Sequence, residues 1–116
     1  MTTIYHIVPR GIWAQAQQTG EYRGDTLEAE GFIHFSTRDQ VLMVANARFK
    51  RHTGLQLLAV AADRLTAELK YEPPYENAEG GELFPHLYGA LNLDAVVRVV
   101  DFEPEPDGTF RLPADL

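Results

Sequence analysis

An α+β fold is what this sequence predicts: a compact single domain of two small, mostly antiparallel sheets with two helices near the N-terminus. Three observations carry that expectation. Short runs of β-branched and aromatic residues recur along the chain, apolar residues at helical spacing are confined to the first half, and no repeat or linker divides the whole. A length of 116 residues suits one domain, since domains typically run to roughly 100–150 residues. The expected unit is residues 1–116, with a core over 3–103 and a C-terminal hairpin or tail over 104–116.

Residues 3–8 (TIYHIV) are β-branched and aromatic and read as the first strand. Pro9 suits the opening of a helix that carries Ile12, Trp13 and Ala16 at 3–4 spacing and stops at Gly20. Residues 21–31 contain Gly24-Asp25 and read as loop with a short turn of helix. Residues 32–36 (FIHFS) form a short strand, and Thr37 with Gln40 three positions later is a capping-box signature. The second helix is expected to run to about Arg51, with Val41, Leu42, Ala45 and Phe49 as its stripe and Gly54 as terminator. Residues 55–62 (LQLLAVAA) are almost continuously apolar and read as a central strand, although Leu and Ala also favour a helix. Strands are expected over 69–72, 83–89 and 96–103, with an exposed loop over 77–82 and a helical turn over 92–95. Asp107-Gly108 signals a hairpin turn before residues 109–112.

Charge is unevenly spread. Residues 1–62 hold six Lys/Arg and five Asp/Glu, and residues 63–116 hold four and twelve, which gives the net −7. An acidic chain of this kind lacks the positive footprint that extended nucleic-acid binding needs. Arg10, Arg23, Arg38, Arg48, Lys50 and Arg51 remain as local cations for one small anionic ligand. The absence of cysteine removes disulfides, thiolate metal sites and a thiol nucleophile. No apolar run reaches the ~18–20 residues of a membrane span, and the first eight residues lack a signal-peptide pattern. A cytoplasmic protein with no membrane partner is the expectation.

The histidines hold the chemistry. His6, His34 and His86 each sit mid-strand, where side chains alternate between faces. His34 shares its face with Phe32 and Ser36, and His86 shares its face with Phe84 and Tyr88; Ile33, Phe35, Leu83 and Leu87 point the other way and belong to the core. Imidazole, ring and hydroxyl on one face suit a cleft for a small, nucleotide-like molecule. Glu72 and Glu82 flank the histidine segments and are candidates to orient an imidazole or stabilise a developing cation, whereas Glu79 reads as solvated loop. Trp13 is either core or cleft wall, and Arg10 and Arg38 begin helices where backbone N–H groups also favour a phosphate. His52 reads as a helix-end cation. No two histidines have the spacing of a local metal motif, so no metal is expected, although convergence of three histidines on zinc is the alternative. Neither a P-loop nor a G-x-S-x-G elbow is present.

At these residues the sequence resembles the small bacterial domain of unknown function 952 family. The resemblance rests on Tyr5-His6-Ile7, Trp13, Gly20-Glu21-Tyr22, Glu30-Gly31-Phe32-Ile33-His34, Ser36-Thr37, Gln40, Glu72 and Phe84-Pro85-His86-Leu87-Tyr88-Gly89, and spans about residues 3–100. It implies an ADP-ribosyltransferase-like fold that binds NAD between two small sheets. In those terms His6 matches the position that holds a ribose, and His34 with Ser36 the position that supports the nicotinamide ribose. The third position, ordinarily Glu, presents His86 and Tyr88 here, and either Glu72 or Glu82 is the candidate substitute. The implied catalytic set is His34, His86, Tyr88, Glu72 and Glu82; the implied NAD-binding set is His6, Arg10, Trp13, Phe32, Ser36, Thr37 and Arg38.

Overall fold

Alternating residues of the first strand divide the core in two. The computed structural model describes residues 2–74, 81–114 and 116. Strand β1 (Thr3–Pro9) pairs antiparallel with β4 (Leu55–Ala61), which pairs antiparallel with β8 (Val96–Asp101), in the order β1-β4-β8. The apolar run of β4 therefore takes the central place, buried on both faces, and no helix forms there. On one face Ile4, Val8, Leu58 and Val60 pack with Trp13 and Ala16 of helix α1 (Arg10–Thr19). On the other, Tyr5, Ile7, Leu57 and Ala59 pack with Val41 and Ala45 of helix α3 (Arg38–Arg48).

A second three-stranded sheet has the order β3-β6-β5, from β3 (Ile33–His34), β6 (Phe84–Tyr88) and β5 (Glu68–Glu72), again antiparallel. One bridge joins the two sheets. Tyr5 N–H donates to Ser36 O at 2.7 Å and Ser36 N–H returns to Tyr5 O at 2.8 Å.

Several expectations give way. A third sheet of two strands exists, β2 (Glu21–Tyr22) with β7 (Leu91–Asn92), and a third helix, α2 (Thr26–Glu30), follows it. The β2–β7 pair has no signal in the sequence because two-residue strands have no periodicity, whereas α2 is the short helical turn expected within residues 21–31. The strand expected over 32–36 is reduced to Ile33–His34, since Ser36 bonds across to β1 instead. Helix α3 stops at Arg48, three residues before the expected end, where Phe49 N–H bonds back to Ala45 O. Arg51 takes φ 71° and its N–H donates to Gly108 O at 2.9 Å. The chain after β8 thus claims residues that would have extended the helix. Residues 109–112 form no strand; Phe110 is buried beside Phe102, with ring centroids 4.8 Å apart. Leu83, expected in the core, is exposed because β6 begins one residue later. Of the loop expected over 77–82, residues 77–80 (including Glu79) lie outside the described residues, and Gly81 and Glu82 are exposed. Among the described residues no helix is long and apolar enough to cross a membrane.

Candidate functional site

Antiparallel register sets His34 opposite His86, and Ile33 opposite Leu87. Ile33, Phe35 and Leu87 turn into the core as alternation requires, which leaves the two imidazoles together on the other face. Their rings meet edge to face, 5.2 Å between centroids. Phe32 stacks on His86 at 4.1 Å and also touches His34 and Tyr88.

Strand β5 brings Glu72 alongside. Its Oε1 accepts from His86 Nδ1 at 3.0 Å and from the Tyr88 hydroxyl at 2.5 Å. These two donors, Tyr88 first, hold the Glu72 carboxyl below its usual range, and the same bond raises the Tyr88 hydroxyl. His86 is only 2 % exposed. Burial lowers its pKa against the opposing pull of Glu72, so the pair is a neutral imidazole donating to a carboxylate. A carboxylate only accepts, so the proton sits on Nδ1 and Nε2 carries a lone pair. That Nε2 is buried and has no partner among the described residues.

His6 is held differently. Its Nδ1 lies 2.6 Å from the His34 carbonyl oxygen and its Nε2 2.7 Å from the Tyr22 hydroxyl. The carbonyl accepts, so Nδ1–H donates and Nε2 accepts from Tyr22 O–H. Burial pushes His6 down to about 4 and raises Tyr22, so both stay neutral near pH 7. His34 in turn has Nε2 3.1 Å from Glu30 Oε1.

A cleft of about 1430 Å³ runs beside these groups. His6, His34, Ser36, His86 and Glu82 of the expected set line it. Phe32, Tyr88 and Glu72 do not; they gather round the His34–His86 pair away from the lining. Four other candidates lie elsewhere. Trp13 is core, its edge toward Tyr22. Arg10 pairs with Asp101 at 2.9 Å and Glu103 at 3.4 Å, so the start of α1 is tied to the β8 end rather than to the cleft. Thr37 caps α3, with its N–H donating to Gln40 Oε1 at 3.0 Å. Arg38 is exposed and reaches Leu116 O at 3.5 Å. His52 lies beyond α3 with its ring edge on Phe49.

Arg23 and Arg48 are the arginines that line the cleft, and Tyr22 and Asp25 join them. Sequence reasoning counted both arginines among the local cations without giving them a site, and missed Tyr22 as a functional side chain. The available signal was a lone tyrosine between Gly20 and Gly24, in a segment whose structure depends on pairing with β7. Among the described residues no group of three His, Asp or Glu is arranged to hold a metal ion.

The family model for "Protein of unknown function (DUF952)" matches residues 7–99. The crystal structure of protein CC0527 from Caulobacter crescentus is similar, with 37 % identity, TM-score 0.83, and coverage of 96 % of this chain and 95 % of that one. The solution structure of CC0527 is likewise similar at 37 % identity and TM-score 0.81, covering 100 % of this chain and 97 % of the other. No curated protein matches.

Proposed function

This chain belongs to the DUF952 family of proteins of unknown function, and on that footing we propose that it is an ADP-ribosyltransferase-like protein whose cleft takes NAD as ligand or substrate. One observation carries the reading: His6, His34 and Ser36, from separate sheets joined at the Tyr5–Ser36 bridge, meet on one cleft wall. Arg48 supplies positive charge suited to a pyrophosphate, whereas Arg23 at the same lining is paired with Glu21 at 3.2 Å. His6 already uses both ring nitrogens, so it acts by fixing the His34 backbone and the Tyr22 hydroxyl rather than by reaching the ligand alone.

A non-catalytic nucleotide-binding module is the second reading. It is favoured by Glu72, whose Oε1 is engaged by both His86 and Tyr88 and which stays out of the cleft lining. Titration of isotope-labelled protein with NAD, followed by amide NMR, tests both. Shifts at Ile7, Ile33 to Thr37 and Leu87 to Gly89, together with the cleft-lining segments around Tyr22 and Arg48, are expected. Nicotinamide release would then mark an enzyme, and binding without release a module. No shift at millimolar NAD would overturn the first reading and leave a module for another nucleotide or small metabolite.

A further inference from the structure

We infer that Nε2 of His86 is a subsite of the cleft that accepts a hydrogen bond from a neutral N–H donor on a planar ligand ring, such as a carboxamide, and rejects a carboxylate in its place. The inference rests on the nucleotide reading above and names the selectivity of that site. Three observations converge on it. Glu72 takes the proton-bearing Nδ1, so Nε2 is an acceptor and the ring cannot rotate to exchange the two without losing that bond. Gln40 and His6 are engaged: Gln40 accepts from Thr37 N–H and donates to Leu83 O at 2.8 Å, and the half-buried His6 uses both nitrogens. His86 Nε2 alone stands unpartnered among the buried side-chain polar atoms of the described residues.

An unmatched buried acceptor carries a desolvation penalty that a ligand donor would recover. Its place is also right, because His86 lines the cleft whereas Glu72, which holds the other nitrogen, does not. Because Nε2 is buried, admitting a ligand requires a neighbouring ring to move, and His34, one-third exposed, edge-on to His86 and held by Glu30 at 3.1 Å, is the candidate. A carboxylate on the ligand would set acceptor against acceptor, with the Glu72 charge directly behind the imidazole.

The experiment compares NAD, its deamidated (nicotinate) analogue and ADP-ribose by calorimetry on the wild-type protein and on His86→Phe, which keeps a ring for Phe32 to stack on. Wild type is expected to prefer NAD over the deamidated form by about tenfold or more, and His86→Phe to lose that preference while still binding ADP-ribose. Nitrogen NMR of the wild-type imidazole gives a readout independent of the variant's folding: NAD should move the Nε2 resonance in the direction of a nitrogen accepting a hydrogen bond, and ADP-ribose should not. Equal binding of both dinucleotides, or an unmoved Nε2, would overturn the inference and leave the nucleotide reading standing. Failure of all three ligands to bind would overturn the nucleotide reading and the inference with it.

Discussion

His6 shows how one side chain ties local sequence to long-range structure. It faces the same side of β1 as Ile4 and Val8, against Leu58, and would be an unfavourable core residue without its two partners. With its pKa lowered to about 4 in the folded protein and near 6.5 unfolded, the unfolded state binds the extra proton between those values. Stability contributed by neutral His6 is therefore complete above pH 6.5 and is lost as pH falls toward 4, by on the order of 3 kcal/mol. His86, lowered as well, adds to the loss in the same direction. Denaturant midpoints measured from pH 7 down to 4.5 should fall, and His6→Asn should flatten that slope while costing about 1–3 kcal/mol at pH 7 through the orphaned Tyr22 hydroxyl. A wild-type profile with no slope in this window would contradict the assigned protonation state. Alternation along the strands made the shared face of His34 and His86 readable, but no pattern in the chain shows which nitrogen carries a proton. That depends on Glu72 and on the His34 carbonyl, residues 14 and 28 positions away.

At the scale of elements, β6 is the strand that the functional face depends on, and its end is tightly set. A Cβ built on Gly89 would lie 2.7 Å from the Ala67 Cβ, just before β5, so the two segments meet where only a hydrogen fits. Gly89→Ala should cost about 1–3 kcal/mol, and Ala67→Gly in the same chain should restore part of it; a thermal-melt cycle over the four proteins measures the coupling. The long strands β1, β4 and β6 and the start of α3 were legible because composition and capping chemistry act locally. The pair β2–β7 and the early end of α3 were not. The β2 strand exists only because its partner is supplied from 69 and 71 residues away, and α3 ends at Arg48, three residues before Arg51 meets the Gly108 turn.

Over the whole molecule, the segment after β8 is part of the packing. Phe110 is 3 % exposed, its ring is tilted on Phe102, and its N–H donates to Asn46 Oδ1 of α3 at 2.7 Å. Phe110→Ala should destabilise the protein by about 3–5 kcal/mol, read as a lower denaturant midpoint; a change below 1 kcal/mol would show that this segment contributes little to the core. The sequence by itself determined the α+β class, the apolar centre at β4, the histidine face of β3 and β6, and the capped start of α3, because each follows from side-chain period or from residues within one turn of each other. Tertiary structure alone decided that Arg23 and Arg48 rather than Arg10 and Arg38 reach the cleft, that Trp13 belongs to the core, and that Glu72 grips His86, whose Nε2 has no partner among the described residues. Those outcomes turn on distance and burial between strands far apart in the chain, which no periodicity within the chain encodes.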